Sequence, residues 1–489
     1  MIYYIILGLV IYTVYKIINF VRVPPELKNI PAVPLSTFFC FNLDKRYYRE
    51  KVNHYLQSYF NEFGVIRVFT HKGWSVFIAD AKICKEVSIL SDVFQKPEFS
   101  KNVASKHLLR FFGESQVASA NGEEWKKQRK VINPIFNQTW STELFGNCAQ
   151  DLIDEWEKME GKEFKVRDKI QRMTLDVLGK SIFDMEFKSV KNADSKLYSL
   201  YHDIAEDIFG HPIYFLFPFL EYVPFFKRPE LSRKLDQYHE FIEELIKLKK
   251  EELKNVTLKS NRDLISALIQ SNENSEESNL RIEEIRDNLN IFIIAGHDTT
   301  SNTMTSTIYY LARYPEIQDK LRRQILEAMD YPKNVQIPTI DQLKKMPYMD
   351  MVNKESMRIM TAATELQRVS SSAYTLSNGI TIPKNTPIFL HLWGVHHNPS
   401  NFSNPFEFNP NRFEDISNQE SKNWQPFILG NRTCIGSTFS LVEQRVTIAM
   451  LLQKFEFSIS SDNPDYHSLR VSSGIARPKD LSVQVKIIA

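Results

Sequence analysis

From Ile282 to Arg313 the sequence reads as a single unbroken helix with Pro315 as its stop, and no other stretch narrows the possible folds as much. At 1.5 Å per residue a helix of that length spans roughly 48 Å, enough to cross a whole domain. Its middle, Ile291 to Ala295, is apolar on every side, which calls for burial on every side. At the centre stands Ala295-Gly296-His297-Asp298-Thr299-Thr300. Glycine, aspartate and paired threonines suit a buried helix interior poorly, so helix stability does not explain them.

The remaining pattern predicts a mainly α fold with small β-sheets. Val65 to Phe69 and Trp74 to Ala79, either side of His71-Lys72-Gly73, predict a hairpin. Asp80 is placed to cap a helix running to about Leu90. Glu-to-Lys pairs at helical spacing mark another helix from about Leu231 to Lys254. Ser271 to Asn279 reads as an exposed loop. Phe455 to Ile459 and Leu481 to Ile488 have the composition of strands. There is no internal repeat, so the expectation is one large domain at 37–489.

Ahead of it, Ile2 to Val14 is almost unbroken apolar or aromatic, and the pattern extends to Val21 past Lys16 and Asn19. That is about the 20 residues a bilayer-spanning helix needs. No Lys or Arg precedes the run and no A-x-A follows it, which favours an uncleaved anchor over a signal peptide. The anchor is taken as 1–22, and Pro24, Pro25, Pro31 and Pro34 predict a stiff connector at 23–36. Lys16, Arg22 and Lys28 all follow the apolar run, which places the rest of the chain in the cytoplasm. The glycosylation sequons at Asn137, Asn255, Asn401 and Asn431 then read as chance matches.

Charge excludes one class of partner. With 61 basic and 59 acidic residues the net charge is +2, so no basic field exists to hold nucleic acid. Cys40, Cys84, Cys148 and Cys434 are far apart and form no CxxC pair, which argues against a disulfide framework and for a reducing compartment.

The fourth cysteine lies in Phe427-Ile-Leu-Gly430-Asn-Arg432-Thr-Cys434-Ile-Gly436. This resembles the haem-binding loop F-x-x-G-x-R-x-C-x-G of the cytochrome P-450 superfamily of haem-thiolate monooxygenases, and all five specified positions match. A cysteine thiolate donates electron density to haem iron and favours cleavage of the O–O bond. Apolar periodicity resumes after Cys434 and continues to about Leu452, predicting a helix whose N-terminal N–H groups favour the anion. Gly430 allows a tight turn and Gly436 a close approach of backbone to porphyrin. Arg432 suits a haem propionate, and Phe427 would cover the sulfur.

Further matches follow in the order the superfamily requires. Glu355-Ser-Met-Arg358 fits E-x-x-R, whose spacing puts both groups on one helical face. The resemblance joins them to Arg412 of Phe408-Asn-Pro410-Asn-Arg412-Phe413 in a structural triad. Trp125 and Arg129 fit W-x-x-x-R and, with Arg368, fall where the family binds haem propionates. The central helix segment resembles the oxygen-activation motif A-G-x-D/E-T. By that resemblance Gly296 leaves room for oxygen, Thr299 hydrogen-bonds it, and Asp298 helps relay protons. One departure stands out: Thr361 replaces the usual proline after E-x-x-R.

The resemblance therefore implies an oxidoreductase with haem b (iron protoporphyrin IX), acting on paired donors and inserting one atom of O2 into an apolar small molecule. It looks like a microsomal, fungal-like member of the endoplasmic reticulum membrane. No dinucleotide fingerprint or iron–sulfur cysteine set occurs, so electrons are expected from a separate NADPH-cytochrome P-450 reductase-type flavoprotein, with Lys126, Lys127 and Lys130 facing it. The aromatic run from Phe209 to Phe226 and the Lys96 to Val117 loop would roof and wall the pocket. Two alternatives keep the pigment: isomerase or dehydratase chemistry, against which the Asp298-Thr299 pair argues, and a non-catalytic haem sensor or carrier.

Overall fold

The computed structural model describes residues 2–98, 105–192, 194–211, 213–255, 263–274, 280–472 and 475–488. The fold is mostly helical with small sheets. Its contacts cluster into two compact units: Met1–Lys96 with Ala363–Glu407 and Ile416–Thr433, and Pro97–Ala362 with Phe408–Asp415 and Cys434–Ala489. The chain passes between them repeatedly, so they are interleaved in sequence rather than consecutive.

The first unit begins with α1 (Ile2–Val21), whose residues 3–20 are all exposed. This helix is long and apolar enough to cross a membrane and fits a membrane anchor. The hairpin forms as the alternation required, with β1 (Val65–Thr70) paired to β2 (Gly73–Ile78) from Val65↔Ile78 to Thr70↔Gly73. The Asp80 carboxylate accepts from Ile83 N–H at 2.8 Å and starts α2 (Ala81–Ile89). With β3 (Phe94–Gln95), β4 (Leu366–Ser370) and β5 (Pro387–Leu390) the hairpin makes a sheet of order β1-β2-β5-β4-β3, in which β2 and β5 run parallel. Val65, Val76, Ile78, Cys84, Phe94, Ile388 and Leu390 are buried together against it.

The 23–36 stretch is not a free spacer. Val33 N–H donates to Arg67 O (3.0 Å) and Arg67 N–H to Pro31 O (2.7 Å), so the segment adds to the open edge of β1, and Leu27 and Ile30 enter the core. A proline lacks a donor but keeps its carbonyl, which is what an unpaired strand edge can use. The Trp74 indole also donates to Val21 O at 2.8 Å, tying the end of α1 to the hairpin.

The second unit contains α3 (Lys106–Phe112), α4 (Gly122–Phe136), α5 (Thr142–Glu157), α6 (Arg167–Leu178), α7 (Lys196–Phe209), α8 (Pro229–Asn255), α9 (Ile282–Arg313), α10 (Pro347–Ile359) and α11 (Ser437–Lys454). The long helix has the bounds its periodicity predicted and is buried along most of its length, with α6 packed beside it. A three-stranded sheet, Glu163–Lys165 beside β7 (Ser482–Ile487) beside β6 (Phe455–Ser458), closes the unit. The expected loop at Ser271 differs. A helix from Leu264 runs through Asn274, because its apolar residues face inward, and 275–279 lie outside the described residues.

Candidate active site

The first unit holds one side of the sequence motif. Gly430 has φ +79°, and a Cβ there would lie 2.9 Å from Ile89 Cα, so both conformation and space require glycine. It opens a 3₁₀ turn, Gly430–Arg432, closed by Thr433 N–H to Gly430 O at 3.0 Å. Two residues earlier Ile428 sits at φ +51°, a strained setting for a β-branched residue of the kind found where a loop's shape matters to function. Trp424 meets Phe427 edge-on at 6.0 Å.

Arg368 on β4 is buried in the same unit. One of its nitrogens donates to Gln367 O at 2.8 Å, and Nη2 is buried with no hydrogen-bond partner among the described residues. Burial brings its pKa down to about 10, partly opposed by Cys84. A buried cationic donor without an acceptor is costly unless an anion completes it. That is what a propionate-bearing group would do.

Cys434 begins the second unit's share. It is exposed, and its carbonyl accepts from Ser437 N–H at 3.4 Å. The following helix starts later than the periodicity suggested: Gly436 is its N-cap and Ser437 its first residue. Cys434 therefore stands just ahead of the helix, still next to the N–H groups that favour an anion. Arg129 on α4 lies within electrostatic reach of it: burial lowers the guanidinium's pKa and Cys434 raises it. Trp125 and Arg129 share one half-buried face of α4. At Gly436 a Cβ would find only Phe136 Cε1, at 3.9 Å, so protein packing does not require glycine there. No group of three or more His, Cys, Asp or Glu among the described residues could hold a metal ion.

The ion-paired triad of Glu355, Arg358 and Arg412 assembles within this unit. Arg358 donates to both Glu355 oxygens at 2.7 and 2.8 Å, while Arg412 Nε and Asn409 N–H reach Oε1 at 3.0 and 2.9 Å. All three charged side chains are buried. The Thr361 departure has a local solution: its hydroxyl donates back to Met357 O and Arg358 O, both at 3.1 Å, and so closes the end of α10.

Ala295 is exposed and Gly296 and Thr299 half-buried, although most of α9 is buried. Ala295 and Thr299 are one turn apart, so this is a single accessible stripe. Thr299 Oγ1 donates to Ala295 O at 2.8 Å. A Cβ at Gly296 would come within 2.8 Å of Leu178 Cδ1 on α6, the flexible end of a side chain that would have to shift to admit it. His297 is a core residue, with Nδ1 2.6 Å from Ile293 O and its ring 4.4 Å from Tyr201.

Asp298 is completely buried and fully engaged. Gln171 donates to Oδ1 at 2.5 Å, and Tyr201 and Arg477 donate to Oδ2 at 2.7 and 2.8 Å. Burial alone would raise its pKa, but Arg477, His297, Arg167 and Tyr201 together bring it down to about 2. As placed, it is an anion rather than an acid poised near neutrality. Reading the sequence did not find Gln171, Tyr201 or Arg477. None belongs to a motif, and they lie 127, 97 and 179 positions away along the chain.

The sequence model described as Cytochrome P450 matches residues 31–484. Curated relatives include Cytochrome P450 3A41 of Mus musculus, 28% identical over 390 residues (75% of this chain, 76% of that one). Cytochrome P450 4A10 of Rattus norvegicus is 29% identical over 355 residues, covering 69% and 68%. Cytochrome P450 monooxygenase 205 of Postia placenta is 27% identical over 503 residues, covering 92% and 90%. Among solved structures, a mutant heme domain of cytochrome P450DA superposes with a TM-score of 0.79 at 21% identity, covering 94% of this chain and 98% of that one. A zebra fish cytochrome P450 with abiraterone gives 0.72 at 19%, covering 90% and 98%. These likenesses establish the fold.

Proposed function

This chain belongs to the cytochrome P450 family, and from that premise we propose that it is a monooxygenase that inserts one atom of O2 into an apolar small molecule. The observation that carries the reading is an exposed Cys434 just ahead of α11 with the Arg129 cation in reach, in the same unit as the accessible Ala295–Thr299 stripe. When bound, haem with a thiolate ligand supplies the O–O cleavage and oxygen transfer.

Each residue then has a task. Cys434 Sγ would hold the iron as a thiolate, stabilised by the N–H groups opening α11 and by Arg129. By the family resemblance Trp125, Arg129, Arg368 and Arg432 would bind propionates, and the unpaired Nη2 of Arg368 would gain an acceptor in this way. Phe427 limits water at the sulfur, and Gly430 and Gly436 shape the loop. Glu355, Arg358 and Arg412 brace their own unit. Thr299 holds a proton at Oγ1. Asp298 would help relay protons from a fixed position, its carboxylate held by Gln171, Tyr201 and Arg477. Electrons come from a separate NADPH-dependent flavoprotein reductase. The α1 helix holds the enzyme in the endoplasmic reticulum membrane with its catalytic domain in the cytoplasm.

The test is spectral. The protein expressed with hemin, reduced and exposed to carbon monoxide, is expected to show the red-shifted Soret band of a thiolate ligand, and Cys434→Ser to lose it. A histidine-type band in the unmodified protein contradicts the reading. Oxygen uptake stoichiometric with reductant and product then separates a monooxygenase from a haem carrier.

A further inference from the structure

Arg477 holds Asp298 but is itself far from satisfied. A guanidinium carries five N–H donors in a planar fork. Among the described residues Arg477 spends one of them, from Nη2 to Asp298 Oδ2 at 2.8 Å. Its Nε is buried without a partner. A cationic side chain that is only 9% exposed pays heavily for donors that meet no acceptor. Charge points the same way. Arg167 Nη2 lies 3.9 Å from Asp298 Oδ1, so two cations flank one wholly buried anion. Burial lowers the pKa of His297, which adds no charge near neutral pH. Glu206, the other carboxylate in electrostatic reach of Arg477, is exposed, where water screens it. The interior around Arg477 therefore keeps positive charge that no buried carboxylate besides Asp298 answers among the described residues.

The fork is held at a fixed place. Val471 pairs with Pro478, Ser472 N–H donates to Arg477 O at 3.2 Å, and Ala476 N–H donates to Ala362 O at 2.8 Å. The guanidinium carbon lies 4.7 Å from the centroid of the Phe209 ring on α7. Phe209, Ala362 and Ile475 are all half-buried, and the Arg477 side chain keeps 10% of its surface, so the fork is not sealed off. Thr299 directly follows Asp298 on α9. One Cα–Cα step, one aspartate side chain and one hydrogen bond thus put Nη2 within roughly 10 Å of the Thr299 backbone.

We propose that Arg477 is a specificity-determining residue: it binds the carboxylate of an apolar organic acid and so sets which carbon, counted from the acid end, faces Thr299. This rests on the reading above that substrate reacts at the Ala295–Thr299 stripe. A planar carboxylate accepts two parallel N–H bonds from a guanidinium fork, which a point cation such as lysine cannot offer. The apolar body of the acid would lie along Phe209, whose ring already packs on the same guanidinium.

The experiment titrates the holoenzyme with lauric, myristic and palmitic acids and with their methyl esters, by calorimetry and by the shift of the Soret band. Each acid is expected to bind about tenfold tighter than its ester, as one charge-assisted pair implies. The products of the three acids should carry the new oxygen at one position counted from the carboxyl carbon. Arg477→Lys keeps a cation beside Asp298 but loses the fork, so the acid-to-ester preference should fall several-fold. Asp298→Asn removes the competing charge on Nη2, so the preference should rise. An Arg477 that served only as counter-ion to Asp298 would move acid and ester together. Should Arg477→Lys not fold, Asp298→Asn decides. Acids that bind no tighter than their esters, including the case where neither binds, overturn the proposal. So does a preference that both variants leave unchanged, or oxidation at a position counted from the methyl end. The carbon monoxide band reports separately on haem ligation, so a protein with the thiolate-type band and no preference for acids fails this inference alone.

Discussion

At the scale of single residues, two buried carboxylates show how surroundings decide chemistry. Asp298 has a pKa near 2 against 3.8 for the free side chain, because Arg477 and its neighbours outweigh burial. A depressed acid stabilises the fold above the unfolded value and loses that contribution as pH falls. Unfolding measured from pH 5 to 2 should therefore show wild type losing about 2 kcal/mol that Asp298→Asn does not. Arg477→Ala should cost about 3–5 kcal/mol by removing the buried anion's nearest cation, and the double variant with Asp298→Asn should recover most of it in urea unfolding. Glu443 on α11 is the opposite case. It is wholly buried, neither oxygen has a protein partner among the described residues, and burial drives its pKa well above 4.5. Its folded form keeps a proton that the unfolded chain releases, so wild-type stability falls as pH rises above 4.5. Glu443→Gln should flatten that slope, gaining on wild type between pH 5 and 8 in thermal melts.

At the scale of elements, the glycines separate what a motif says from what packing demands. Gly430 is fixed by backbone, since its φ is positive and Ile89 Cα lies where a side chain would begin. Gly430→Ala should destabilise by about 2 kcal/mol or more and weaken the thiolate-type carbon monoxide band, because no flexible neighbour can yield. Gly296 faces a flexible obstacle, Leu178 Cδ1. Gly296→Ala should cost about 1–3 kcal/mol, and combining it with Leu178→Ala should cost less than the sum of the single changes in a double-mutant cycle. The extents of α9 and of the first hairpin were legible because they follow from short-range periodicity and stop signals. The start of α11 was less so. Nothing local separates Cys434 from Ser437, and the turn through Gly436 settles where the helix begins.

At the scale of the whole molecule, the family match begins at residue 31, where Pro31 and Val33 of the connector add to the edge of β1. Deleting 1–22 should release the protein from membranes on carbonate washing while the carbon monoxide spectrum is retained. Loss of the spectrum would mean that α1 supports the fold and not only its location. The sequence by itself determined the helical class, the long apolar first helix, the cysteine loop and the Glu355–Arg358 spacing, because each is written within a few turns of chain. Only the tertiary structure decided that Asp298 is an ion-paired anion held by Gln171, Tyr201 and Arg477, and that Gly296 answers to Leu178. Solvation and Coulomb interaction depend on distance through space, and segments far apart in sequence come close only when the chain has folded.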